Sequence, residues 1–147
     1  MDTYQHILLA ADFSEHGRLV AQKAASLAKL HQARLSIIHI VDNLTIIDST
    51  YGPVIPFETD LNEQLIQASQ QRLKSFSETL SIPEERQFLE MGNAKLEIVA
   101  TAEENQVDLI IVGSHGRHGF SALLGSTASG ILNHAQCDVL AVRLKGD

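Results

Sequence analysis

Five short apolar runs punctuate the chain: residues 6–11 (HILLAA), 35–41 (LSIIHIV), 86–91 (RQFLEM), 108–112 (DLIIV) and 138–144 (DVLAVRL). HILLAA and the core of DLIIV are continuous rather than alternating, the pattern of strands covered on both faces. Between the runs lie amphipathic stretches. In residues 14–31, Leu19, Val20, Ala24, Leu27, Ala28 and Leu30 recur at helical spacing. In residues 61–80, Leu61, Leu65, Ala68, Leu73 and Phe76 form the expected buried stripe. Residues 94–104 and 126–134 read as two further helices, and Gly92-Asn93 ends the third strand.

Strands alternating with helices imply parallel pairing through right-handed crossovers. The expected fold is α/β: a doubly wound five-stranded parallel sheet of order 3-2-1-4-5 with helices on both faces. At 147 residues the chain fits a single domain, residues 1–147. Residues 42–57 contain Gly52, Pro53 and Pro56 without a clear period. A connection of this length reads as a lid or flap.

In such a sheet, ligands bind beyond the carboxyl ends of the strands where the strand order reverses. Here strands 1 and 4 flank that point, and the residues just after them are Asp12 and Gly113. From Gly113 the chain reads GSHGRHGFSALLGST to Thr127. Glycines let backbone approach a ligand closely. Successive N–H groups in such a turn make an anion-binding concavity. Gly125, Ser126 and Thr127 stand where a helix begins, and its free N–H groups and positive dipole end favour phosphate. The bland alternative is a loop and a helix start that bind nothing, with Ser126 only a cap. Position after a buried strand, opposite Asp12, favours a site.

The first strand is followed by ADFSEHG rather than a G-x-G-x-x-G, and no G-x-x-x-x-G-K-[ST] occurs, which argues against a dinucleotide-binding fold and a P-loop NTPase. No G-x-S-x-G surrounds Ser114, so no hydrolase nucleophile is read and no catalytic residue is assigned. Asp12-x-x-Glu15 also has the form of a capping box, with Asp12 capping the first helix. His115 and His118 have no evident third ligand, so no metal site is expected. His39 reads as a satisfied core histidine, and Asp42 as a loop-entry cap.

The formal net charge of −7 gives no global attraction to nucleic acid or an anionic membrane. A lone cysteine, Cys137, permits no intramolecular disulfide and suits a reducing compartment. The N-terminal apolar run lacks a basic flank, so it is not a signal peptide. No run approaches about 18 apolar residues, so no transmembrane helix is expected. These features together imply a cytoplasmic protein.

The ordered set HILLAADFSEHG, LSIIHIVD, VDLIIVGSHGRHG, LLGSTASGIL and CDVLAVR resembles the universal stress proteins of nucleotide-binding type over essentially the whole chain. The resemblance implies a dimeric stress-response sensor or regulator that binds ATP or AMP, with or without Mg. Asp12 would contact the nucleotide near its ribose or adenine, and the Ile40 backbone would meet the adenine edge. Ala10 and Ala11 would complete the adenine wall. Gly113, His115, Gly116, Gly125, Ser126 and Thr127 would line the phosphates, with the Ala128 backbone nearby. The last strand, between Val139 and Leu144, would pair across a twofold axis as a homodimer edge; protein partners beyond a second copy are not named by the sequence. The family signature is G-x2-G-x9-G-[ST], whereas eight residues separate Gly116 from Gly125 here. Either the loop is one residue shorter, keeping G-S-T intact, or Ser126 takes the third-glycine position. The alternatives are a nucleotide-free dimeric interaction protein and a very slow ATPase, with Ser126 or Thr127 as acceptors in any self-phosphorylation.

Overall fold

The computed structural model describes residues 3–41, 58–114 and 125–143. The elements alternate as expected: β1 (His6–Ala10), α1 (Glu15–His31), β2 (Arg34–Val41), α2 (Glu58–Thr79), β3 (Gln87–Met91), α3 (Ala94–Glu104), β4 (Leu109–Gly113), α4 (Ser126–His134) and β5 (Asp138–Val142). All four strand pairs are parallel, in the order β3-β2-β1-β4-β5. The lid expected at residues 42–57 lies outside the described residues.

The continuous apolar strands are explained by the two cores they serve. Ile7, Leu9, Ile37 and Ile111 point to the face covered by α1 and α2. Leu8, Ile38 and Ile110 point to the face covered by α3 and α4. All seven are at most 1% exposed, and each contributes about 1.5–3 kcal/mol by leaving water. The sheet is held in register at its amino end by Asp108, whose two carboxylate oxygens accept the Gln5 and His6 N–H groups at 2.9 Å each. Tyr4 Oη donates to Asp138 at 2.7 Å, joining the β1 and β5 starts.

The helices bury much of the expected stripes, Val20, Ala24 and Ala28 in α1 and Leu73 in α2, with Leu27 and Phe76 packed against the core, and depart from them at particular positions. In α1 the buried stripe is Gly17, Val20, Ala21, Ala24 and Ala28, whereas Leu19 and Leu30 are exposed. In α2, Leu65 and Ala68 are exposed, and the buried positions are Ser69, Leu73 and Ser77. The four-residue rhythm set by Leu73 carries the two serines under the helix. The Ser77 hydroxyl is fully buried with no hydrogen-bond partner, a cost of about 1–3 kcal/mol. α2 also begins earlier than expected, at Glu58 rather than at Leu61. No helix among the described residues is long and apolar enough to cross a membrane.

Candidate functional site

Because the strand order reverses between β1 and β4, the helices leaving these two strands diverge to opposite faces and leave a crevice at the carboxyl ends. β1 pairs with β4 through Ile7–Leu109, Leu8–Ile110 and Leu9–Ile111. That register brings the chain beyond Ala10 alongside the end of β4. Ala11 still belongs to the sheet, its N–H donating to the Ile38 carbonyl at 2.8 Å. Asp12 follows, half-buried.

Asp12 does not cap α1. Its Oδ1 accepts the Ser14 N–H at 2.9 Å, and Ser14 is the cap, its hydroxyl accepting the Gly17 N–H at 3.2 Å. Gly17 explains the arrangement. A Cβ there would lie 1.6 Å from the Asp12 carbonyl oxygen, so only glycine lets the first turn of α1 press against the Asp12 backbone. The neighbouring Phe13 ring stacks on His39 of β2, with centroids 4.3 Å apart, and meets Phe76 of α2 at 5.5 Å. His39 Nδ1 stands 3.3 Å from the Ala11 carbonyl oxygen. The loop carrying Asp12 is thus pinned from three sides. Ser14, Gly17 and the Phe13–His39 pair escaped the sequence reading; a glycine inside a helical pattern was the only signal available.

On the other strand, Gly113 is the final residue of β4, paired with Val142 of β5. Ser114 is buried; its N–H donates to the Val142 carbonyl at 2.8 Å and its carbonyl accepts the Gly125 N–H at 2.7 Å. That last bond joins the end of β4 to the start of α4. Gly125 is the N-cap of α4, no side-chain cap bond is made among the described residues, and the first internal bond of the helix runs from the Ser129 N–H to the Gly125 carbonyl. Ser126 is exposed, Thr127 half-buried and Ala128 buried. The N–H groups of a first helical turn have no partner within their helix and carry its positive dipole end. Nothing in the side chain of Gly125 competes for them.

Ala10, Ile40, Val112 and Ala128 contribute to one apolar cluster, with Ile40 paired to Glu90 in the β2–β3 ladder. Ala10 and Ile40, both half-buried, pack against the same core cluster as the buried Ala128, and Asp12 and the α4 amino end lie at the same end of the sheet. His115, Gly116, Arg117 and His118 lie outside the described residues, as do Asp42 and Leu144. No group of three or more His, Cys, Asp or Glu side chains among the described residues is arranged to hold a metal.

The model of the Universal stress protein family matches residues 3–143. The chain belongs to this family. Universal stress protein A homolog 2 of Coxiella burnetii is 40% identical, over 99% of each chain. Universal stress protein A homolog 1 of the same organism is 37% identical, over 97% of this chain and 98% of the relative. Among solved structures, the hypothetical protein MJ0577 superposes with a TM-score of 0.82 at 26% identity, covering 99% of this chain and all of that one. A universal stress protein in complex with cAMP has the same fold, with a TM-score of 0.62 at 19% identity, covering 97% of this chain and 98% of that one.

Proposed function

We propose that this universal stress protein binds an adenine nucleotide, ATP or AMP, in the crevice between β1 and β4, and acts as a dimeric sensor or regulator in stress response. The observation that carries the reading is the amino end of α4, whose N-cap Gly125 has no capping side chain among the described residues and is tied by Ser114 to the end of β4, on the side of the sheet where Asp12 emerges. It offers backbone N–H groups and a positive dipole to phosphate oxygens. The hydroxyls of Ser126 and Thr127 add donors. Ala10 and Ala11 form the wall for a flat apolar base, the Ile40 backbone meets its edge, and the Ala128 backbone lies near the phosphates. Asp12, fixed by Ser14 and Gly17, accepts hydrogen bonds from ribose hydroxyls or adenine. Gly113, His115 and Gly116 complete the phosphate cradle. A family structure in complex with cAMP supports an adenine ligand.

These groups suit binding: the sequence carries no lysine clamp for phosphoryl transfer, and Asp12 or a bound ion would support at most slow turnover, so a sensing role fits better. Mg would enter, if at all, with the phosphates. The homodimer forms through β5. This strand lies at the sheet edge, bonded on one side only to β4, and an edge of Val139, Leu140, Ala141 and Val142 calls for covering.

Thermal shift with ATP, AMP, GTP and no ligand tests the nucleotide reading. An adenine nucleotide at about 100 times its Kd stabilises the fold by about 2.7 kcal/mol, a rise of about 5–10 °C in a chain of this size. No rise with either adenine nucleotide at millimolar concentration overturns it.

A further inference from the structure

α1 and α2 cover the same face of the sheet, yet an open groove of about 930 Å³ runs between them. The thin underside of α2 accounts for it. With Ser69 and Ser77 in buried positions, the helix rests on the sheet through Leu73, Phe76 and Leu80. The groove floor is apolar, formed by the half-buried Phe13, Phe76 and Leu80. Its walls follow helical spacing: Arg18 and Gln22 on α1, and Ala68, Arg72 and Phe76 on α2. Among the described residues, the ionisable side chains lining it are Arg18 and Arg72, on a chain whose net charge is −7. The α2 wall from Ala68 to Thr79 extends about 16 Å, the reach of about five residues of extended chain.

From this pairing of an apolar floor with two exposed guanidiniums we infer that the α1–α2 groove docks a short acidic segment of a partner protein. The segment carries at least two carboxylates flanking a bulky apolar side chain. Arg18 and Arg72 meet the carboxylates, where a guanidinium forms paired N–H···O bonds. The apolar side chain fills the floor against Phe13 and Phe76.

The test is selection of a random-peptide library on the immobilised full chain, with counter-selection on the Arg18→Glu, Arg72→Glu double variant. Enriched peptides are then labelled and titrated by fluorescence anisotropy. Both arginines are exposed, so an unchanged Tm verifies that the double variant folds. The expected peptides share two or more Asp or Glu around Leu, Ile or Phe. Their affinity falls about tenfold or more in the double variant. Ala68→Trp, which fills the groove without changing charge, weakens them as well. Enrichment of peptides without carboxylates, equal binding to the double variant, or no enrichment over a blank surface overturns the proposal. So does a drop in sedimenting mass on charge reversal, which would assign the groove to a second copy of the chain.

Discussion

The position of Asp12 depends on a residue with no side chain. Gly17 lies one helical turn into α1, and the space a Cβ would need is taken by the Asp12 carbonyl. Gly17→Ala must move either the loop or the helix. The expected cost is about 1–3 kcal/mol in urea unfolding, together with loss of the Tm rise on adding ATP. A second residue-scale effect lies at the opposite end of the sheet. His6 is 5% exposed; its Nδ1 meets the Asn105 carbonyl at 3.0 Å and its Nε2 the Ser36 hydroxyl at 2.6 Å. Neutral imidazole satisfies both contacts by donating from Nδ1 and accepting at Nε2. Burial pushes its pKa below the usual 6.5, with Arg34 and Arg86 acting in the same direction against the Asn105 contact and Asp108. The unfolded chain then binds the proton more readily than the native one. The contribution of His6 is therefore complete above about pH 6.5 and is lost as pH falls below it. Chemical denaturation from pH 8 to 5 should show stability falling below pH 6.5, and His6→Gln should flatten part of that slope.

At the scale of elements, α4 presents a conflict that one substitution exposes. Gly125 has φ −65° and ψ 162°, a conformation open to any capping residue. Gly125→Asp should cap the helix and raise the ligand-free stability by a few tenths of a kcal/mol. The same carboxylate should repel phosphates and abolish the ATP-induced Tm rise. Opposite signs in the two readouts separate a ligand site from a plain helix start.

The alternation of strands and helices was legible because β1, β2 and β4 carry apolar side chains to both faces, and α3 and α4 fall on the residues expected. Helix phase was less legible. Leu19, Leu30 and Leu65 look like core by type and are exposed, while Ala21, Ser69 and Ser77, outside the expected stripes, are buried. Hydrophobicity marks a helix, while fit against the strand beneath selects its face. The cap of α1 was misplaced for a related reason: Asp12 and Ser14 are two candidates two residues apart, and the close approach at Gly17, a tertiary contact, chooses between them. The placement of Asp12 and Gly113 at the ends of β1 and β4 was legible because it follows from strand order; the Phe13–His39–Phe76 stack behind Asp12 joins three elements and has no sequence period.

For the whole molecule, the family assignment and the sheet order leave β5 at one margin and β3 at the other. β3 is more polar, with Gln87 and Glu90 in its five residues, and β5 is nearly all apolar after Asp138. That asymmetry favours self-association through β5. Sedimentation equilibrium should return twice the 16.1 kDa chain mass, and a monomer at micromolar concentration would rule that edge out as a dimer interface. Native mass spectrometry of the purified chain titrated with ATP, AMP and GTP reads the nucleotide site itself, since the added mass also counts the phosphates retained. One adenine nucleotide per chain, absent in Gly125→Asp, is expected; a spectrum free of nucleotide, or one in which GTP binds as well as ATP, would rule the adenine site out.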